Sequence, residues 1–101
     1  MNAASSYSVI LDRDKTINQD PGYLADPAAV VLMSGAAEGI ALLNHFGIRV
    51  FVASNQSGVS RGLISPQQLK AVNARIEELL REGGAHIGGF FICPHQDHEE
   101  C

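Results

Sequence analysis

The chain has 101 residues, of which 46% are hydrophobic and 18% charged, and its formal net charge is -4. This length holds one domain and excludes a two-domain enzyme, and the apolar fraction is that of a globular chain rather than a disordered one. The seven Lys and Arg residues do not cluster, so the sequence offers no basic surface for nucleic acid.

Neither a membrane segment nor a secretory signal is expected. No apolar run approaches the roughly 20 residues of a membrane helix, and the first residues lack a basic region followed by a long apolar one. We therefore expect a cytoplasmic protein without a membrane partner. In that compartment the two cysteines are expected to be free thiols or metal ligands, because two are too few for a disulfide framework.

Three short apolar runs predict buried strands at residues 7–11, 48–53 and 90–93. The first run is followed by the charged residues 12–14, and the second by the polar residues 54–57. Such an abrupt change is typical of a buried strand whose carboxyl end opens into a polar site.

Between these runs, apolar residues recur at helical spacing in two segments. The first helix is predicted to begin with Ser34 as its N-cap and to stop at Gly47. The second has Ser65 as its N-cap, Pro66 at the first helical position and Gln68 as capping-box partner, and it ends at a pair of glycines.

The predicted order of strand, helix, strand, helix and strand favours an α/β fold with a parallel sheet. Both polar clusters then lie at carboxyl ends of strands, where open α/β sheets bind their ligands. Residues 15–33 fit neither periodicity and contain several turn signals, so we interpret them as an irregular or hairpin-like excursion over the site.

Asp12 and Asp14 are the strongest candidates for chemistry. Two carboxylates just past a strand can bind Mg²⁺ and can divide the roles of nucleophile and acid/base between them. The alternative is a solvated turn, since Asp is common in loops. A functional site is favoured by the hydroxyl residues Thr16 and Ser54 nearby in the predicted fold.

The strings DRDKT, DPGY, SNQSGVSRG and CPH with a later Cys resemble the haloacid dehalogenase superfamily of phosphotransferases. Within it, they are similar to the group of phosphatases that act on heptose bisphosphate and histidinol phosphate. The similarity runs over residues 9–101, and Lys15 stands where the first motif usually has Gly. The resemblance implies a Rossmann-like parallel sheet with helices on both faces, here without the family's C-terminal strands.

The same resemblance implies a Mg²⁺-dependent phosphomonoester hydrolase that acts on a sugar bisphosphate, with histidinol phosphate as the alternative substrate. Asp12 would be the nucleophile and form an aspartyl phosphate, while Asp14 would protonate the leaving alcohol and then activate water. Mg²⁺ would bind the Asp12 carboxylate, the Asp14 backbone carbonyl and the phosphate.

The resemblance also assigns residues to a small phosphorylated metabolite as the partner. Ser54 matches the family's phosphate-binding hydroxyl. Arg61 could contact a second phosphate or a carboxylate, or it could simply be an exposed arginine. The remaining positions that match substrate-contacting segments are Asn55, Gln56, Ser57, Asp20, Pro21, Gly22 and Tyr23.

Cys93, His95 and Cys101 resemble part of a structural Zn²⁺ loop over residues 93–101, in which the family has a fourth ligand. His98 is a further candidate for that fourth position. Without the family context, a core cysteine and a surface histidine would explain the first two residues equally well.

In the family, a basic residue and a later acidic pair follow the zinc cysteines. Neither is present in residues 1–101. We therefore expect these residues to form a single, partial domain, which is an amino-terminal fragment. A truncated, noncatalytic zinc- or phosphate-binding module is the competing hypothesis. A phosphoacceptor receiver is disfavoured, because its acceptor Asp would end the third strand, where this chain has Cys93. The substrate and the oligomeric state stay open.

Overall fold

The computed structural model describes residues 7–20, 22, 24–56, 59 and 61–93, except for the side chains of residues 55, 92 and 93. Three strands occupy Ser8–Asp12 (β1), Arg49–Asn55 (β2) and Gly89–Cys93 (β3). Two long helices connect them, Ala36–His45 (α1) and Pro66–Glu82 (α2), and a single 3₁₀ turn lies at Pro27–Ala29.

The strands form one parallel sheet in the order β1-β2-β3. In the register of the sheet, Asp12 is the partner of Ala53, and Asn55 is the partner of Cys93. The carboxyl ends of β1 and β2 therefore meet at one edge of the sheet, and the predicted parallel α/β architecture is confirmed.

Both helices pack on the same face of the sheet. Val50 and Val52 of β2 are buried in a core cluster with Ile40 of α1 and with Val72 and Ile76 of α2. The connections from β1 to β2 and from β2 to β3 run in the same direction across the sheet. Because crossover connections share one handedness, their helices then lie on the same face. This differs from the expectation of helices on both faces, because the described residues supply helices to one face only.

The other face is open over its centre. Ile10 and Phe51 are partners in the register and point to this face, as does Phe91 beside Ala53, because side chains alternate along a strand. Ile10 is 65% exposed and Phe91 59%. The rings of Phe51 and Phe91 contact each other with their centroids 5.8 Å apart.

The sequence predicts the start of α2 correctly but misplaces the start of α1. Ser65 Oγ accepts from the Gln68 backbone N–H, and Gln68 Oε1 accepts from the Ser65 N–H, which is the predicted capping box. At α1 the N-cap is Gly35 with φ 84°, and no side chain caps the helix. The prediction of Ser34 was wrong because the left-handed conformation at Gly35 starts the helix one residue later.

The segment between β1 and α1 folds back on itself. The Gln19 N–H donates to the Val31 carbonyl at 2.8 Å, and the Met33 N–H donates to the Ile17 carbonyl at 2.8 Å. Asn18 and Leu32 form an antiparallel bridge between these two bonds. Among the residues described, no helix combines the length and the apolar character that crossing a membrane requires.

Candidate active site

A tight turn directly after β1 builds the centre of the site. The Arg13 carbonyl accepts from the Ile17 N–H at 2.8 Å, and the Lys15 N–H donates to the Asn18 carbonyl at 2.7 Å. Lys15 has φ 70° and is the one non-glycine residue with positive φ in the described backbone. The turn brings Asn18 back beside Asp14, four residues earlier in the chain.

Four residues with hydrogen-bond donors surround the Asp14 carboxylate, namely Arg13, Asn18, Ser54 and Gln56. We call Asp14 together with these four residues the Asp14 cage. Oδ1 accepts from Arg13 Nε at 3.1 Å, Arg13 Nη2 at 2.8 Å and Asn18 Nδ2 at 3.1 Å. Oδ2 accepts from Gln56 Nε2 at 2.7 Å and lies 3.5 Å from Ser54 Oγ. Gln56 Nε2 also donates to Ser54 Oγ. Residues from the ends of β1 and β2 thus converge on one carboxylate.

The Arg13 side chain lies in the interior, with 1% of its surface exposed. Besides its ion pair with Asp14, its Nη1 donates to Asn73 Oδ1 of α2 at 2.8 Å. A buried charge is costly unless it is paired and hydrogen-bonded, and these contacts meet that requirement. The interaction connects the helix-covered face of the sheet to the site.

Asp12 ends β1 and is exposed. Mg²⁺ takes hard oxygen ligands and is bound through one or two protein carboxylates together with water and phosphate oxygens. The exposed carboxylate of Asp12 fits that requirement. The resemblance implies that the backbone carbonyl of Asp14 is the second ligand. Both oxygens of the Asp14 carboxylate accept hydrogen bonds in the cage, which agrees with that prediction. In the described part of the chain, no three His, Cys, Asp or Glu side chains group as a metal site.

Three other described residues that were predicted to contact the substrate lie outside the Asp14 cage, namely Asp20, Gly22 and Arg61. Asp20 is exposed, and its Oδ1 accepts from the Gly22 N–H at 3.0 Å, which closes a local turn. Arg61 is exposed in a turn between β2 and α2. Their assignment to the substrate stays a prediction.

Several predicted residues fall outside the described part of the chain. These are Pro21, Tyr23, Ser57, His95, His98 and Cys101. The backbones of Asn55 and Cys93 end β2 and β3, but their side chains are not described. The zinc loop therefore stays a prediction from the sequence.

Arg13, Asn18 and Asn73 were not predicted from the sequence as residues of the site. Asn73 carried a usable signal, because it lies one residue after Val72 and three before Ile76 on the buried face of α2. A polar residue on an apolar helix face requires a buried hydrogen-bond partner. Nothing in the sequence identified Arg13 as that partner.

A groove of about 540 Å³ runs along α2 and is lined mainly by apolar side chains, among them Leu69, Ala74 and Phe90. Lys70 is the basic residue in its lining. Phosphate sites require several converging donors, and the mainly apolar lining of this groove does not supply them.

Comparison with known proteins finds relatives along most of the chain. No protein-family model matches. The chain is 42% identical over 90 residues to D-glycero-beta-D-manno-heptose-1,7-bisphosphate 7-phosphatase of Mesorhizobium japonicum, covering 89% of this chain and 42% of that protein. A protein of the same name from Neisseria meningitidis is 36% identical over 94 residues, covering 92% of this chain and 50% of the relative.

The fold is similar to that of solved phosphatases. A crystal structure of D,D-heptose 1,7-bisphosphate phosphatase from B. bronchiseptica, complexed with magnesium and phosphate, matches with a TM-score of 0.86 at 32% identity. The match covers 94% of this chain and 54% of that one. A HAD-like phosphatase structure from Mesorhizobium loti also matches with a TM-score of 0.86, at 42% identity, covering 90% and 44%.

The chain belongs to the haloacid dehalogenase superfamily. The chain spans about half the length of the curated relatives that it matches. In this superfamily member, the two aspartates of the DRDKT string lie at the carboxyl end of β1, directly beside the polar end of β2.

Proposed function

We propose that the whole protein is a Mg²⁺-dependent phosphomonoester hydrolase that acts on a sugar bisphosphate. The Asp14 cage carries this proposal, because it holds one carboxylate in place two residues after an exposed one. The relatives named heptose bisphosphate phosphatases support the substrate class, and the magnesium and phosphate in the B. bronchiseptica structure support the metal.

In the proposed reaction, the Asp12 carboxylate attacks phosphorus and forms an aspartyl phosphate, while the bond to the leaving alcohol breaks. Asp14 gives its proton to that alcohol and later takes a proton from the water that hydrolyses the aspartyl phosphate. Ser54 Oγ lies within the cage and can donate to a phosphate oxygen.

The Asp12 carboxylate and the Asp14 backbone carbonyl would hold Mg²⁺. When bound, the ion would offset negative charge on the phosphoryl group. The predicted zinc ligands Cys93, His95 and Cys101 rest on the sequence alone. The resemblance implies a structural ion, so we assign no catalytic step to it.

The test is release of inorganic phosphate from a heptose 1,7-bisphosphate, with histidinol phosphate as the comparison substrate. We expect the sugar bisphosphate to be hydrolysed in the presence of Mg²⁺ and hydrolysis to stop in EDTA. Asp12→Asn should reduce the rate to that of the blank, because an amide is not a nucleophile toward phosphorus.

Glu38→Gln is the matched control. It also removes one carboxylate charge, but from the exposed first turn of α1, so its rate should equal that of the unsubstituted protein. Turnover that survives Asp12→Asn would contradict the assignment of the nucleophile. Absence of turnover in the unsubstituted protein, together with retained binding of phosphate, would favour the noncatalytic module.

A further inference from the structure

The two oxygens of Asp14 have different surroundings. Oδ1 accepts three hydrogen bonds, two from Arg13 and one from Asn18. Oδ2 has one close donor, Gln56 Nε2 at 2.7 Å, and the Ser54 hydroxyl at 3.5 Å. An oxygen that accepts three bonds has no lone pair left for a proton, whereas a protonated Oδ2 can still accept from Gln56.

The contacts on Oδ1 depend on a residue from a different element. Arg13 alone has several rotatable bonds, and its guanidinium keeps its place through the bond from Nη1 to Asn73 Oδ1 at 2.8 Å. Both side chains are buried, at 1% and 9% exposure. Asn73 in turn is held by α2, whose neighbouring residues Val72 and Ile76 are fully buried in the core.

We propose that Arg13, anchored by Asn73, is a positioning residue that holds Asp14 by Oδ1 and leaves Oδ2 as the oxygen that carries the catalytic proton. The inference rests on the proposed function, in which Asp14 is the acid. The Oδ2 proton passes to the ester oxygen as its bond to phosphorus breaks and as the bond from Asp12 to phosphorus forms. In the second step, Oδ2 takes a proton from the attacking water.

A comparison of two leaving groups tests this role. The alcohol of a sugar phosphate requires a proton as it leaves. The leaving group of nitrophenyl phosphate is nitrophenolate, which is a stable anion and requires no proton. The kcat/KM value measures the barrier up to loss of the leaving group. Asn73→Ala should lower kcat/KM for the sugar bisphosphate by about tenfold to a hundredfold, and it should change the value for nitrophenyl phosphate by less than about threefold.

Two further variants serve as controls. Asn73→Asp keeps an oxygen acceptor for Arg13 Nη1 and should restore the ratio of the two kcat/KM values. Asn44→Ala also truncates an asparagine, one that lies near the C-terminal end of α1 and whose Oδ1 accepts from the His86 N–H at 2.7 Å. This variant should leave the ratio unchanged. Equal losses on both substrates in Asn73→Ala, or no loss on either, would overturn the inference.

A measurement without substrate separates this inference from the proposed function. In ¹⁵N NMR spectra, the two Nη groups of Arg13 should give separate signals in the unsubstituted protein, because its hydrogen bonds hinder rotation of the guanidinium. In Asn73→Ala the signals should merge. Unchanged signals would overturn the inference alone, whereas absence of turnover in the unsubstituted protein would contradict the proposed function and the inference with it.

Discussion

Lys15 occupies a backbone conformation that favours glycine. Its φ is 70°, in the left-handed region, where the Cβ of an ordinary residue crowds the following carbonyl. We expect Lys15→Gly to raise the free energy of unfolding by about 0.5–1 kcal/mol, because relief of roughly 1–2 kcal/mol of crowding exceeds the added entropy of the unfolded chain. Urea unfolding measures this change.

Lys70→Gly is the matched control for this prediction. Lys70 is exposed within α2, where glycine costs about 1 kcal/mol of helix stability. Substitution by glycine should therefore raise the free energy of unfolding at position 15 and lower it at position 70. Destabilisation in both variants would show that the turn after β1 accommodates a side chain at position 15 without crowding.

At the scale of elements, the two helices begin by different means. The capping box at α2 satisfies two terminal N–H groups with side chains, whereas α1 begins at Gly35 without a side-chain cap. We expect Ser65→Ala to lower the free energy of unfolding by about 1 kcal/mol, as measured by urea unfolding.

Ser34→Ala provides the comparison, since Ser34 is exposed and does not cap α1. Its effect should lie within about 0.5 kcal/mol of zero. If Ser34→Ala costs as much as Ser65→Ala, the sequence-based assignment of Ser34 as the N-cap is right after all.

The helix starts and the strand limits show how much of the fold could be predicted from the sequence. The start of α2 was predictable because Ser65, Pro66 and Gln68 act within one turn of chain. The limits of the strands were predicted only to within two residues. They depend on pairing with neighbouring strands, which the sequence of one strand does not show. The Arg13–Asn73 bond was not predictable, because it joins residues 60 positions apart that meet only after α2 packs on the sheet.

At the scale of the whole molecule, one face of the sheet exposes apolar side chains. Contiguous apolar patches of this kind promote association in water. We expect the 101-residue chain to associate with increasing concentration, as measured by light scattering, and Ile10→Thr to reduce that association. Threonine suits a strand, so the variant should still fold.

Leu42→Thr is the control for this prediction. Leu42 is 58% exposed, close to the 65% of Ile10, but it lies on α1 rather than on the open face. Its substitution should leave the association unchanged. A chain that scatters as a monomer at every concentration would contradict the prediction, as would equal effects of the two variants.

The Asp14 cage has a consequence for folding kinetics. Its donors are Arg13 and Asn18 beside Asp14, together with Ser54 and Gln56, which lie 40 and 42 residues further along. Arg13 in turn is anchored by Asn73, 60 positions away. Closure of such long loops is slow compared with formation of local structure. We therefore expect the turn after β1 to form early and the Asp14 carboxylate to reach its final arrangement late in folding. The hydrogen bonds of the cage would then form later in refolding than the helical circular dichroism signal appears.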